Sequence, residues 1–298
     1  MSKPPKIGLA LGSGGARGWC HIGVLQALDE IGVRPDVVAG TSMGALVGAA
    51  WAGGCLAALE AWVRALSPAR FVSLMDLRLG RGGLVEAREI EAVLERLGVA
   101  ARIEDLPRPF AAIATDMETG REIWFQSGPT YRAVRASAGI PGVMNPVRHD
   151  GRWLLDGGLT NPVPVSAARA LGAEVVIAVN PNAKRLGRIW RPPERPPPPD
   201  WLLQLLPDAL HEPFGLNGAG EPETGKPTYF DVLSASIDVM TDTIRRARMA
   251  GEPPHVMLDA DLEKMTVLEL HRGPEAIEEG RKIVEADAER IRAICGVE

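Results

Sequence analysis

Lys6-Ile7-Gly8-Leu9-Ala10-Leu11-Gly12-Ser13-Gly14-Gly15-Ala16-Arg17-Gly18 is the stretch from which the fold is read. Lys6 to Leu11 is a short, mainly apolar run of strand length, and the glycines behind it permit a tight turn. Past the turn, Ala16, Cys20, Gly23, Val24, Ala27 and Ile31 recur at helical spacing. Val37 to Ala39 repeats the strand, and a second helix starts near Ser42. A strand followed by a helix, twice in succession, is the pattern of right-handed βαβ units on a parallel sheet.

Working outward, Ile90, Val93, Leu94 and Leu97 mark an amphipathic helix. Phe110 to Ala114 and Ile123 to Phe125 read as strands around a Thr119-Gly120 turn, and Val147 to Leu155 as a hairpin around Asp150-Gly151. Glu174 to Val179 completes the sheet. The α/β core thus spans residues 6–180. Residues 181–228 form a Pro-rich linker or lid-like arm: Pro192, Pro193 and Pro196 to Pro199 leave few backbone donors for helix or sheet. Residues 229–298 are a helical part completing the same domain. There Phe230, Leu233, Ile237, Met240, Ile244 and Ala247 make a stripe read as core, with homodimerisation as the other use. A strand from Val256 to Leu258 and one helix from Pro274 to Cys295 end the chain.

Composition narrows the function classes. With 298 residues, 46% hydrophobic, 24% charged and a net charge of −5, the chain has no basic field to attract nucleic acid. Cys20, Cys55 and Cys295 form no CxxC pair, which weakens disulfide and zinc readings and fits a reduced cytoplasm. The charge-free run from Val37 to Leu59 has the length of a membrane span, but Gly40-Thr41-Ser42 and Gly53-Gly54 interrupt it. Ile7 to Gly15 imitates a weak signal peptide, which Arg17 and the glycines contradict.

The loop from Gly12 to Gly18 has unpaired N–H groups beside a helix start, so it favours negative charge. A dinucleotide fingerprint fails because Arg17 stands where its last glycine belongs, and the P-loop ending is absent. The developing oxyanion of an acyl transfer remains. Gly40-Thr41-Ser42-Met43-Gly44 is a GxSxG where strand meets helix, a turn that lifts Ser42 above the sheet and aims the Met43 N–H beside Gly14 and Gly15. The base is read as Asp156, in Leu154-Leu155-Asp156-Gly157-Gly158 after an apolar run. Its other reading is an Asx turn at the hairpin's end. His149 is the rival base. A carboxylate must be partly desolvated to take a serine proton. Asp116 and Glu118 are read as turn formers, and His21 as a packed helix residue. No metal and no cofactor is implied.

Together these segments, with Ser137-Ala138-Gly139-Ile140-Pro141 and Asn161-Pro162-Val163-Pro164, resemble the motifs of the patatin-like phospholipase family, in particular its small bacterial cytoplasmic branch. The resemblance implies a three-layer α/β/α acyl-hydrolase fold with a mainly parallel central sheet. It also implies a Ser42–Asp156 dyad and an oxyanion hole at Gly14, Gly15 and Met43 with Arg17 adjacent. Gly12, Gly18, Gly40, Gly44, Gly157 and Gly158 are then the motif glycines. Ser13 stands where the family's motif has glycine.

The function expected is lipid-ester hydrolysis of phospholipase A or lysophospholipase type, on a fatty-acyl ester or phospholipid. The alternative is a non-catalytic protein that senses a lipid or acyl metabolite on the same fold. Residues 184–214, a basic cluster followed by Trp201 to Leu206, read either as a covering arm or as a peripheral contact with the inner face of the membrane.

Overall fold

The computed structural model of the protein describes residues 4–67, 89–183, 227 and 229–297. In chain order the strands are β1 (Ile7–Leu11), β2 (Val37–Thr41), β3 (Phe110–Asp116), β4 (Glu122–Phe125), β5 (Val147–His149), β6 (Arg152–Asp156), β7 (Val175–Asn180) and β8 (Val256–Asp259). The helices are α1 (Cys20–Glu30), α2 (Met43–Ala52), α3 (Leu56–Arg64), α4 (Glu89–Arg96), α5 (Thr130–Ser137), α6 (Val165–Ala170), α7 (Tyr229–Gly251), α8 (Gly273–Glu285) and α9 (Ala288–Cys295). Chain contacts divide the molecule into one unit of residues 1–183 and 241–298 and a second of residues 184–240. Of the expected Pro-rich arm, residues 181–228, only 181–183 and 227 are described, and the basic cluster and the apolar piece after it lie wholly outside the described residues.

The first unit is built on one sheet in the order β5-β6-β3-β2-β1-β7-β8, with β4 also paired to β3. The ladders β3-β2-β1-β7-β8 are parallel, whereas β4 and β6 run antiparallel to β3, and β5 antiparallel to β6. Alternation along each strand explains the layers. Leu9, Leu11, Val38, Ala112, Ala114, Ile177 and Val179 face one side, packing with residues of α1, α2, α5 and α8. Ala10, Ala39, Ala111, Ile113, Val176 and Ala178 face the other, where Val165, Ala167 and Ala168 of α6 cover them. Both faces are dry, which is why the parallel strands read as continuous apolar runs. The result is a three-layer α/β/α fold around a mainly parallel sheet.

Local signals act as their chemistry requires. The charge-free run breaks into α2 and α3 at Gly53-Gly54, with Gly54 at φ +76°. Asp150 and Gly151 at the hairpin tip have φ of +46° and +82°, the signs of a type I′ turn. The expected helix from Pro274 to Cys295 is instead two helices. Asp287 N–H bonds the Val284 carbonyl, tightening the last turn of α8, and the chain redirects so that Ile291 and Cys295 are buried. The stripe on α7 is also less covered than a core stripe: Leu233, Ile237 and Ile244 are half-buried, and Met240 is exposed. Among the described residues no helix is long and apolar enough to cross a membrane.

Candidate active site

β2 ends at Thr41 and α2 starts at Met43, leaving Ser42 alone in the turn at φ 58°, ψ −120°. Only Gly reaches that region freely, so Ser42 is held there by its neighbours. Three restraints act. The Ser42 N–H donates to Ser137 Oγ at 2.8 Å, its carbonyl accepts from Ala45 and Leu46, and Thr41 Oγ1 donates to the Asn161 carbonyl at 2.8 Å. Gly44 makes the turn feasible: a Cβ there would lie 2.1 Å from the Leu11 carbonyl oxygen, so no larger residue fits between elbow and β1. Gly40, at the end of β2, is similarly pressed against the Gly44 backbone.

Asp156 closes β6 and meets the serine. Ser42 Oγ donates to Asp156 Oδ2 at 2.7 Å, while the Gly158 N–H donates to Oδ1 at 2.7 Å. One carboxylate oxygen thus faces Ser42, and the other accepts from Gly158 in an Asx-type turn. Its backbone is fixed as well: Asp156 N–H bonds the Gly139 carbonyl, and Thr115 Oγ1 donates to the Asp156 carbonyl. Residues 137–139 therefore strap both members of the pair. Burial pushes the Asp156 carboxyl up from 3.8 to about 6, against the lowering effect of the bonds from Ser42 and Gly158. Gly157, next in line, lies against the Ile113 carbonyl of β3.

The glycine loop lies across this elbow. Gly12 sits beside Val179, Gly18 packs on the Met43 side chain, and Ser13 adjoins Gly158. Ser13 N–H bonds the Pro162 carbonyl and Ala16 N–H the Val267 carbonyl. Between them the N–H groups of Gly14 and Gly15 have no partner among the described residues. Met43 is the first residue of α2, whose N-terminus has no side-chain cap, so its N–H lies in the set with no intrahelical acceptor. Arg17 follows on the same loop, and its guanidinium is committed: Nε donates to the Met265 carbonyl at 2.6 Å and Nη1 to Asn182 Oδ1 at 2.8 Å.

Other sequence candidates fall outside this cluster. His149 pairs with Asp150 at 3.3 Å and stacks edge-on against Phe125. Asp116 accepts from the N–H groups of Glu118 and Thr119, a turn role. His21 is fully buried, but it does more than pack: its Nε2 lies 2.8 Å from the Gly12 carbonyl oxygen. Burial lowers it from 6.5 to about 4, so it is neutral at physiological pH and Nε2 carries the proton it donates. The spacing of His21 one helical turn beyond Arg17 was the available signal. Ser137 lies in one of the segments that carry the family resemblance, whereas Asn182 and the carbonyls of Met265 and Val267 had no signal beyond position. No group of three His, Cys, Asp or Glu that could hold a metal ion occurs among the described residues.

The model of the patatin-like phospholipase family matches residues 9–169, which contain the elbow, the loop and Asp156. The chain belongs to the patatin-like phospholipase family. A second comparison agrees: an uncharacterized NTE family protein of Mycobacterium tuberculosis, Rv1063c, is 33% identical over 95% of this chain and 91% of its own length. Human patatin-like phospholipase domain-containing protein 6 is 35% identical over 58% of this chain, but that match covers 13% of the human protein. Among solved structures, VipD from Legionella pneumophila aligns over 96% of this chain and 68% of its own, with a TM-score of 0.47 and 12% identity. The patatin-like family is one of lipid hydrolases, and that is the class in which this chain stands.

Proposed function

We propose that the protein is a serine acyl hydrolase of phospholipase A or lysophospholipase type, with Ser42 as nucleophile and Asp156 as general base. One observation carries the reading: in a strained elbow, Ser42 Oγ donates at 2.7 Å to a carboxylate that is not the ordinary weak base. Raised to about 6, Asp156 is about a hundredfold better proton acceptor than at 3.8 and is still ionised at neutral pH.

As Ser42 Oγ attacks the acyl carbonyl, its proton passes to Asp156 Oδ2 and the carbonyl electrons move onto oxygen. The N–H groups of Gly14, Gly15 and Met43 receive that charge. Collapse expels the alcohol, which takes the proton from Asp156. Water then attacks the acyl-serine, giving its proton to Asp156, and Ser42 recovers it as the fatty acid leaves. Residues 137–139 and Gly158 hold the pair aligned throughout.

Treatment with a fluorophosphonate ester, followed by peptide mass spectrometry, tests this. The expected result is a covalent adduct on Ser42, absent in Ser42→Ala, strongly reduced in Asp156→Asn, and forming at a rate that rises with pH through about 6. Folded protein that stays unlabelled, with and without detergent or lipid, would overturn the reading in favour of a lipid-binding regulatory protein. Loss of labelling in His149→Ala with labelling retained in Asp156→Asn would reassign the base.

A further inference from the structure

The peptide planes of the glycine loop are held one by one, and not all in the same way. In the plane joining Gly12 and Ser13, the carbonyl faces His21 Nε2 at 2.8 Å and the N–H meets the Pro162 carbonyl at 2.8 Å. Further on, the Ala16 N–H is tied to the Val267 carbonyl at 2.9 Å. The two planes in between are tied at the carbonyl end only. Asn182 Nδ2 donates to the Ser13 carbonyl at 2.8 Å, and the Arg17 N–H donates to the Gly14 carbonyl at 3.2 Å. Every peptide bond described is trans, so C=O and N–H point in opposite directions across each plane. Holding the Ser13 carbonyl from behind therefore aims the Gly14 N–H forward.

We infer that Asn182 is the positioning residue for the oxyanion donor Gly14, an inference that rests on the acyl-hydrolase reading above. The amide is suited to the task because both its ends are used. Oδ1 accepts from Arg17 Nη1 at 2.8 Å, which leaves Nδ2 as the only end able to bond a carbonyl; the reverse orientation would set donor against donor and acceptor against acceptor. Arg17 is in turn fixed by the Met265 carbonyl, and the Asn182 backbone N–H is tied to Asn180 Oδ1, whose Nδ2 bonds Asp259. Asn182 thus stands on β7 and β8 and presses one peptide plane into place. It touches no reacting atom. Its effect belongs to the state in which charge sits on the oxyanion, so its loss is felt in turnover rather than in substrate binding.

Asn182→Asp keeps the shape and the Arg17 contact but replaces the donor by an oxygen that repels the Ser13 carbonyl. Hydrolysis of a short-chain aryl ester should show kcat reduced roughly ten- to a hundredfold with KM changed less than about threefold, a fraction of what deleting one donor costs. The decisive readout is a pair of inhibitors, a trifluoromethyl ketone that forms an oxyanion on the serine and the matching methyl ketone. The ratio of their inhibition constants should narrow by the same factor as kcat/KM falls. That ratio does not depend on the folded fraction, so Asn182→Ala can be read the same way where Asn182→Asp is poorly stable. An unchanged ratio in a variant of a wild type that hydrolyses normally overturns the role of Asn182 alone. A wild type that neither hydrolyses nor labels overturns the underlying reading instead.

Discussion

Ser42 and Asp156 are held from nearby: the strap at 137–139, Thr41, Thr115 and Gly158 all lie within residues 9–169, the part that matches the family model. The glycine loop is held largely from outside that part, by Asn182, Met265 and Val267, with His21 and the Pro162 carbonyl as inner supports. The half with the proposed nucleophile thus carries its own scaffold, whereas the half with the proposed oxyanion donors borrows one from the chain's later elements. A side chain can be fixed by local turns, but backbone N–H groups can be aimed only by pinning the carbonyls behind them, and those partners can come from anywhere in the fold.

The largest effect is expected where the halves join. Gly44 backs onto the Leu11 carbonyl at the point where β1 enters the loop, and a Cβ would sit 2.1 Å from that oxygen and 2.8 Å from the Gly12 oxygen. Both neighbours are backbone and cannot swing aside. Gly44→Ala should cut ester hydrolysis by more than about a hundredfold and lower stability by roughly 1–3 kcal/mol, the usual range for overpacking. Activity near wild type in that variant would show that the elbow and the loop are not mechanically joined.

Acid titration separates the halves by sign, because each contains one buried titrating group. Asp156 titrates at about 6 in the fold against 3.8 when solvated, so the native state holds the extra proton and stability falls as pH rises from about 4 to 6. His21 titrates at about 4 against 6.5, so the unfolded state holds the extra proton and stability falls as pH drops from 6.5 towards 4. Each shift is worth about 3 kcal/mol, and over their shared window the two oppose each other. Asp156→Asn should therefore stabilise the protein above pH 6 by up to about 3 kcal/mol while abolishing hydrolysis, and it should steepen the loss of stability in acid. His21→Gln, which can still donate to the Gly12 carbonyl, should leave the opposite slope, with stability rising as pH falls from 6 to 4. Urea unfolding at several pH values checks both; parallel curves for the two variants would refute the assignment of one group to each half.

How much of this was legible beforehand follows the same division. β1, β2, β3 and β7 were readable because strands buried on both faces are continuous apolar runs, and the elbow and the place of Asp156 because the proposed chemistry demands particular residue types at strand ends. The contacts of Met265 and Val267 were not, since they act through carbonyl oxygens that every residue possesses. Asn182 was half visible, a polar residue just past an apolar strand, but its partners lie 165 and 169 positions away. The break between α8 and α9 was missed because no Gly or Pro marks it; Asp287 and the burial of Ile291 decide it.

The smallest effect concerns Ser13, a serine within the glycine loop, which sits where the two halves touch. A Cβ on Gly158 would lie 3.0 Å from Asp156 Oδ1 and 3.1 Å from Ser13 Oγ, tight on both sides but against side-chain atoms. Ser13→Gly removes the second contact and adds backbone freedom to the unfolded chain, so by itself it should cost about 0.5–1 kcal/mol and leave kcat nearly unchanged. Gly158→Ala should be more harmful, because the Gly158 N–H to Asp156 bond must shift to make room and the base shifts with it. In the double variant one of the two obstacles is gone, and Gly158→Ala should become milder by roughly 0.5 kcal/mol or more, the scale of coupling between residues in contact. A double-mutant cycle in melting temperature and kcat measures this. Coupling in stability without coupling in kcat would mean that Ser13 and Gly158 share space only; coupling in both would mean that the position of the loop is transmitted to the base through this contact, and that the oxyanion half and the nucleophile half are tuned together.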